Sequence, residues 1–114
     1  MGRKIRHKRV RRKLSGTKEI PRLFVFRSNK HTYVQVVDDE QGKVLFGCFT
    51  GSDEMKDKVK NTSNRKAAHE LGKLIATRAK NEGFNEIRFD RAGYKYHGRV
   101  KAVAEGAREG GLVF

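Results

Sequence analysis

Apolar and polar positions change period along the chain, and the changes divide it into elements. Residues 23–26 and 32–37 are short β-branched and aromatic runs separated by Arg27, Ser28, Asn29, Lys30 and His31, the pattern of two strands joined by a hairpin turn. Alternation in the second run puts Tyr33, Gln35 and Val37 on one face and Thr32, Val34 and Val36 on the other, so Tyr33 and Gln35 are expected on the outward side. Phe24 and Phe26 share a side of the first strand and are expected in the core. A second turn, with Asp39, Glu40, Gln41 and Gly42, precedes a third strand over 44–50. Short connections make the three strands an antiparallel meander.

From 64 to 81 the period lengthens to that of a helix: Ala68, Leu71, Ile75 and Ala79 form a stripe that Ala67 and Leu74 widen. Ser63 or Thr62 is placed to cap its start, and Asn81 with Gly83 to stop it. Residues 51–61 read as a loop of weak helical character, with Met55 and Val59 four apart. Phe84 is expected to anchor the chain, and 87–89 to add a fourth strand parallel to an earlier one, because a helix supplies the crossover. Val100, Val103, Ala104 and Ala107 mark a second helix, ended by Gly110 and Gly111, after which Leu112, Val113 and Phe114 dock back on the domain. These elements predict an α/β fold of α+β-like character: a small mixed sheet of about four strands, two packed helices and a mobile basic N-terminal arm.

Charge gives the arm its meaning. The chain has 114 residues, with 27 Lys and Arg against 13 Asp and Glu, a net charge of +14. Residues 1–22 hold ten of those cations and Glu19 as the one acid. Pro21 disfavours helix at Ile20, so the chain divides into a basic, largely disordered arm over 1–21 and a compact domain over 22–114. Such an excess of positive charge calls for a polyanion, and phosphate backbones attract it through counterion release. Charge alone leaves RNA, DNA and an anionic membrane as candidates.

Other chemistry is sparse. Cys48 is the single cysteine, and the histidines at 7, 31, 69 and 97 are dispersed, which is no ligand set for a metal; no cofactor is expected. Cys48 reads as a small hydrophobe and His69 as a surface side chain. No run of 18 apolar residues occurs and no secretory leader is recognisable, so a cytoplasmic protein is expected.

The densest chemistry lies in the loop over 90–99, DRAGYKYHGR, between the fourth strand and the second helix. A turn at Gly93 would present Tyr94 and Tyr96, which either stack on bases, touch ribose, or simply cover the edge of the core. Arginine is a rigid multidonor fork, so Arg27, Arg91 and Arg99 are favoured over isolated lysines for oriented phosphate or base contacts. Tyr33 is a further candidate for stacking on a base or touching ribose. Asp90 is assigned a structural part, as a cap of the loop or a restraint on Arg91. A metal-dependent nuclease using Asp90, His97 and Arg99 is the enzyme alternative, weakened by having one carboxylate; a nonspecific nucleic-acid-binding protein or membrane-surface protein is the other.

The basic start, PRLFVFRSNKHTYVQVVDD at 21–39, the helix at 64–81, FDRAGYKYHGRVKA at 89–102 and AREGGLVF at 107–114 together resemble the bacterial large-subunit ribosomal protein family that binds 5S ribosomal RNA. The resemblance implies a non-catalytic protein of the cytoplasmic ribosome, monomeric when free, that helps attach 5S rRNA to 23S rRNA in the central protuberance beside neighbouring ribosomal proteins. It implies RNA contacts by Arg3, Lys4, Arg6, Lys8, Arg9, Arg11, Arg12 and Lys13 in the arm. To these it adds Arg22, Arg27, Ser28, Asn29, Lys30 and His31 at the hairpin, and Arg91, Tyr94, Tyr96, His97 and Arg99 in the late loop. Gly111 stands where alanine is common in that family, a change expected only to loosen a helix end.

Overall fold

The structure, a computed structural model, describes residue 17 and residues 19–114. The arm contacts expected of Arg3, Lys4, Arg6, Lys8, Arg9, Arg11, Arg12 and Lys13 lie outside the described residues. Strands β1 (Arg22–Arg27), β2 (Thr32–Asp38) and β3 (Lys43–Phe49) form the meander. A single helical turn, α1 (Asp53–Lys56), and the long helix α2 (Arg65–Asn81) lead to β4 (Arg88–Asp90), and α3 (Gly98–Glu109) follows the late loop. The sheet order is β3-β2-β1-β4, with β4 parallel to β1 as a helical crossover requires. Pro21 already belongs to this sheet, since its carbonyl accepts the Arg88 N–H at 2.9 Å.

The helices cover one face. Leu23, Val25, Val34 and Val36, at 0–1% exposure, form one core with Leu71, Ile75 and Val103, and Met55 of α1 is buried in the same cluster. Each such side chain contributes about 1.5–3 kcal/mol by leaving water. Phe24 and Phe26 are not in this core, contrary to expectation. Register explains it: Phe24 pairs with Gln35 and Phe26 with Tyr33, so the phenylalanines share the outward face that alternation assigned to β2. Tyr33 in turn pairs with Phe49, and the three rings stand in a column, Phe26 to Tyr33 at 4.8 Å and Tyr33 to Phe49 at 5.4 Å between centroids.

Helix α2 is capped by Asn64, whose side chain accepts the Ala67 N–H at 2.9 Å, and not by Ser63 or Thr62. It ends in a Schellman motif, with the Phe84 N–H on the Ala79 carbonyl (2.9 Å) and the Gly83 N–H on that of Lys80 (3.0 Å). Helix α3 ends the same way, Leu112 N–H to Ala107 and Gly111 N–H to Arg108. Gly111 has φ +103°, so glycine secures this end and does not loosen it. Leu112 is buried and the Phe114 ring stacks on Phe89 at 5.4 Å, while Val113, 62% exposed, joins Glu86 only through its backbone.

The two long helices cross with backbone against backbone. A Cβ on Gly72 would run into the Val103 carbonyl oxygen, and one on Gly106 into that of His69. Contacts run in the same order along both, Arg65 and Lys66 near His97 and Lys101, then His69 by Gly106, then Ala76 by Gly110, so both helices start at the same end of the domain.

Beside β4 lies a buried ion network. Arg22, expected to face RNA, is 4% exposed and is held by three side-chain hydrogen bonds, two to Asp39 at 3.0 Å and one to Asp90 at 2.5 Å. Burial works against the Arg22 charge, but the hydrogen bonds and charges of Asp39 and Asp90 outweigh it and raise its pKa. Its guanidinium is thus committed to the fold.

Candidate nucleic-acid interface

The β1–β2 hairpin and the late loop meet at one end of the domain. The hairpin closes on itself, the Ser28 N–H donating to the His31 carbonyl at 2.8 Å and the His31 N–H to Ser28 Oγ at 3.2 Å. Thr62 hydroxyl donates to the Lys30 carbonyl at 2.7 Å, fastening the segment before α2 to the hairpin tip. Arg27, Ser28, Asn29 and Lys30 are exposed there, and His31 is half-buried, its Nδ1 3.3 Å from Thr50 Oγ1.

The late loop is shaped by Asp90. Its Oδ2 takes the bond from Arg22, while Oδ1 accepts the Ala92 N–H at 2.8 Å, so it restrains Arg22 and not Arg91. Ala92 (φ +56°) and Gly93 (φ +82°) are the central pair of a turn closed by the Tyr94 N–H on the Arg91 carbonyl at 2.9 Å, the double left-handed geometry of a type I′ turn. The expected turn at Gly93 therefore involves Ala92 as well, at a conformation alanine adopts only under constraint.

This turn aims Tyr94 back at the hairpin. Its hydroxyl donates to the Arg27 carbonyl at 3.4 Å, and the Arg27 guanidinium lies over its ring, 5.1 Å from the centroid. Arg99, at the start of α3, donates from Nη1 to the His31 carbonyl at 3.2 Å and reaches Thr32 Oγ1 at 3.5 Å. Burial lowers the Arg99 pKa, and the neighbouring positive charge of Arg27 lowers it further, with Tyr94 acting in the opposite sense. A phosphate beside Arg99 and Arg27 relieves the repulsion between their guanidiniums.

The remaining expected residues separate. Tyr96, 39% exposed, turns toward the end of α3, accepting from Arg108 Nη1 at 3.1 Å and meeting Phe89 edge to face. His97 is exposed at the N-cap of α3 and Arg91 is half-buried. Tyr33 has a ring against each of its faces, which closes base stacking to it and leaves its edge and hydroxyl for contact. Two structural partners escaped sequence reasoning. Asp39 shares Arg22, and Thr62 holds Lys30; neither sits at a spacing that links it in sequence to its partner.

Among the described residues no three His, Cys, Asp or Glu side chains are grouped to hold a metal, and no helix is long and apolar enough to cross a membrane. The acid a nuclease would need, Asp90, is fully buried and bonded to Arg22 and Ala92. Cys48 is a quiet thiol, pushed up to about 12 by burial. Its alkylation at pH 8 is expected to be on the order of a hundredfold slower in the folded protein than in denaturant; comparable rates would show an exposed thiolate. Because the unfolded thiol ionises first, Cys48 lowers stability only as pH rises from about 9 towards about 12.

The family described as ribosomal L18 of archaea, bacteria, mitochondria and chloroplasts matches residues 1–114. The chain belongs to the ribosomal L18 family. Large ribosomal subunit protein uL18 of Thermotoga petrophila is 55% identical over 109 residues, covering 96% of this chain and 89% of that protein. That of Kosmotoga olearia is 49% identical over 112 residues (98% and 92%), and that of Solibacter usitatus 55% over 108 (95% and 88%). L18 membership makes this a ribosomal protein, a component of a ribonucleoprotein that works in translation. The site then reads as an L18 surface on which Arg99 and Tyr94 are each tied to a hairpin carbonyl and the Arg27 guanidinium lies over the Tyr94 ring.

Proposed function

We propose that this L18 protein is a non-catalytic constituent of the large subunit of the cytoplasmic ribosome that binds 5S rRNA and helps attach it to 23S rRNA in the central protuberance, beside other large-subunit proteins. The observation that carries the reading is the convergence of Arg27, Lys30, Tyr94 and Arg99 at one end of the domain, within a chain that matches the family throughout. Cations there engage phosphates, and the fixed arginine forks and tyrosine edge supply orientation. Arg91 and His97 belong to the same late loop and are assigned to the RNA contact with it, and the arm cations 3–13 add affinity.

The test is a competition in which labelled 5S rRNA is challenged with tRNA and duplex DNA across a salt series. Selective retention of 5S rRNA is expected; equal competition per phosphate would reduce the protein to generic electrostatics. Within that assay Arg99→Glu is expected to weaken 5S rRNA binding by roughly tenfold to a hundredfold at moderate salt. It puts an anion beside the site and removes the tie from α3 to the His31 carbonyl. Unchanged affinity, with the fold intact by circular dichroism, would take Arg99 out of the site.

A further inference from the structure

A second surface of the domain carries the chemistry of a phosphate contact. Between the segment after α1 and the start of α2 lies a groove lined by Lys56, Lys58, Lys60 and Lys66, with Asp57 as its one acid. Lys66 also borders a neighbouring groove between the starts of α2 and α3, where Arg65 and Lys101 converge and Glu105 is the acid. All six cations are exposed, and among the described residues none of them is in an ion pair. The ordinary explanation of surface lysines is a solvated face, yet these line a strip of two adjoining grooves that share Lys66.

Their placement also costs stability that solvation does not explain. Neither α2 nor α3 has an acid in its first turn, and Arg65, Lys66, Arg99 and Lys101 stand there instead, against the positive end of each helix dipole. The segment between the grooves is held to the hairpin by the Thr62 bond to Lys30, so the strip continues from the arginine and tyrosine site described above.

We propose that this lysine-lined strip is a second RNA contact, one that grips phosphate backbone without reading bases. Apart from Arg65 its cations are lysines, compact point charges without the planar fork that fixes orientation, and no Phe, Tyr or Trp lines either groove, the rings there being the imidazoles of His69 and His97. It rests on the reading that the protein binds ribosomal RNA, and it divides the labour: the hairpin and late loop discriminate, and the strip adds affinity to whatever RNA lies across it.

The test compares the full chain with a variant in which Lys56, Lys58, Lys60 and Lys66 are each replaced by glutamine, using labelled 5S rRNA, tRNA and a generic RNA duplex across a salt series. The slope of log affinity against log salt is expected to fall by about 3, and affinity at low salt by tenfold to a hundredfold on the order of magnitude, equally for every RNA. Preference for 5S rRNA over tRNA stays unchanged. A slope change of less than about 1 would overturn the proposal, as would loss of the 5S preference, which would make the strip a reader of sequence or shape. If the wild-type protein shows no 5S preference, the proposed function fails, while the slope on the RNA duplex still decides the strip. Lys58→Gln with Lys60→Gln, expected to show about half the slope change, serves if the fourfold variant does not fold.

Discussion

Asp90→Ala is expected to cost about 3–5 kcal/mol of folding stability. Two losses combine. The Arg22 guanidinium, 4% exposed, is left one carboxylate short, and the buried Ala92 N–H loses its acceptor at a residue already held at φ +56°. Asp90→Asn keeps an oxygen for Ala92 and gives up the charge facing Arg22, so it should fall between wild type and alanine. Urea denaturation followed by circular dichroism separates the three. An alanine variant within about 1 kcal/mol of wild type would mean the network is dispensable. Since Asp90 also sets the turn that aims Tyr94, Asp90→Ala, measured where it is still folded, should reduce RNA affinity with little change in salt slope, while Asp90→Asn, which keeps the oxygen for Ala92, should bind near wild type.

Gly106→Ala is expected to be as damaging, about 3 kcal/mol or more, and to leave the protein partly unfolded at 37 °C. Alanine normally favours a helix interior over glycine by about 1 kcal/mol, so the sign of the effect is itself diagnostic. Here the added methyl meets the His69 carbonyl, a backbone atom in the middle of α2 that cannot step aside without opening the helix pair. Gly72→Ala meets the Val103 carbonyl from the other side. A thermal midpoint equal to or above that of wild type would show that the crossing is looser than the structure has it.

Element types and order were legible because each apolar run kept one period. The four strands, both long helices and the parallel return of β4 lie where the pattern put them, with ends shifted by a residue or two, while 51–61, which reads as a loop of weak helical character, holds one helical turn at Asp53–Lys56. What pattern cannot supply is which face of a strand the helices cover. Phe24 and Phe26 looked like core because they are large and apolar, yet Tyr33 and Gln35 were read as outward. The register makes those two readings incompatible, since the four residues are cross-strand partners. A single layer of helices resolves it, with Leu23 and Val25 inside.

For the site, the density of donors in 90–99 pointed to the right loop and Arg27 to the right hairpin. The fate of Arg22 was not visible, because a buried arginine and a phosphate-binding arginine look alike until carboxylates from distant segments are placed beside one of them. The strip of lysines was passed over for a related reason. Its members, on α1, the loop after it, α2 and α3, converge only in the folded chain.

The pairing of β1 with β4 bears on how the protein is made. Arg22 and Asp90 are 68 residues apart, so during synthesis the first strand emerges long before the strand and the carboxylate that complete it. At translation rates of about 5–20 residues per second, that interval lasts about 3–14 seconds. Throughout it the meander has an unpaired edge along β1 and, at its head, an arginine that has Asp39 but lacks its second carboxylate. The nascent chain is therefore exposed to strand-pairing errors and to any nearby polyanion until its last quarter arrives, and a pause in translation before residue 90 would prolong that exposure.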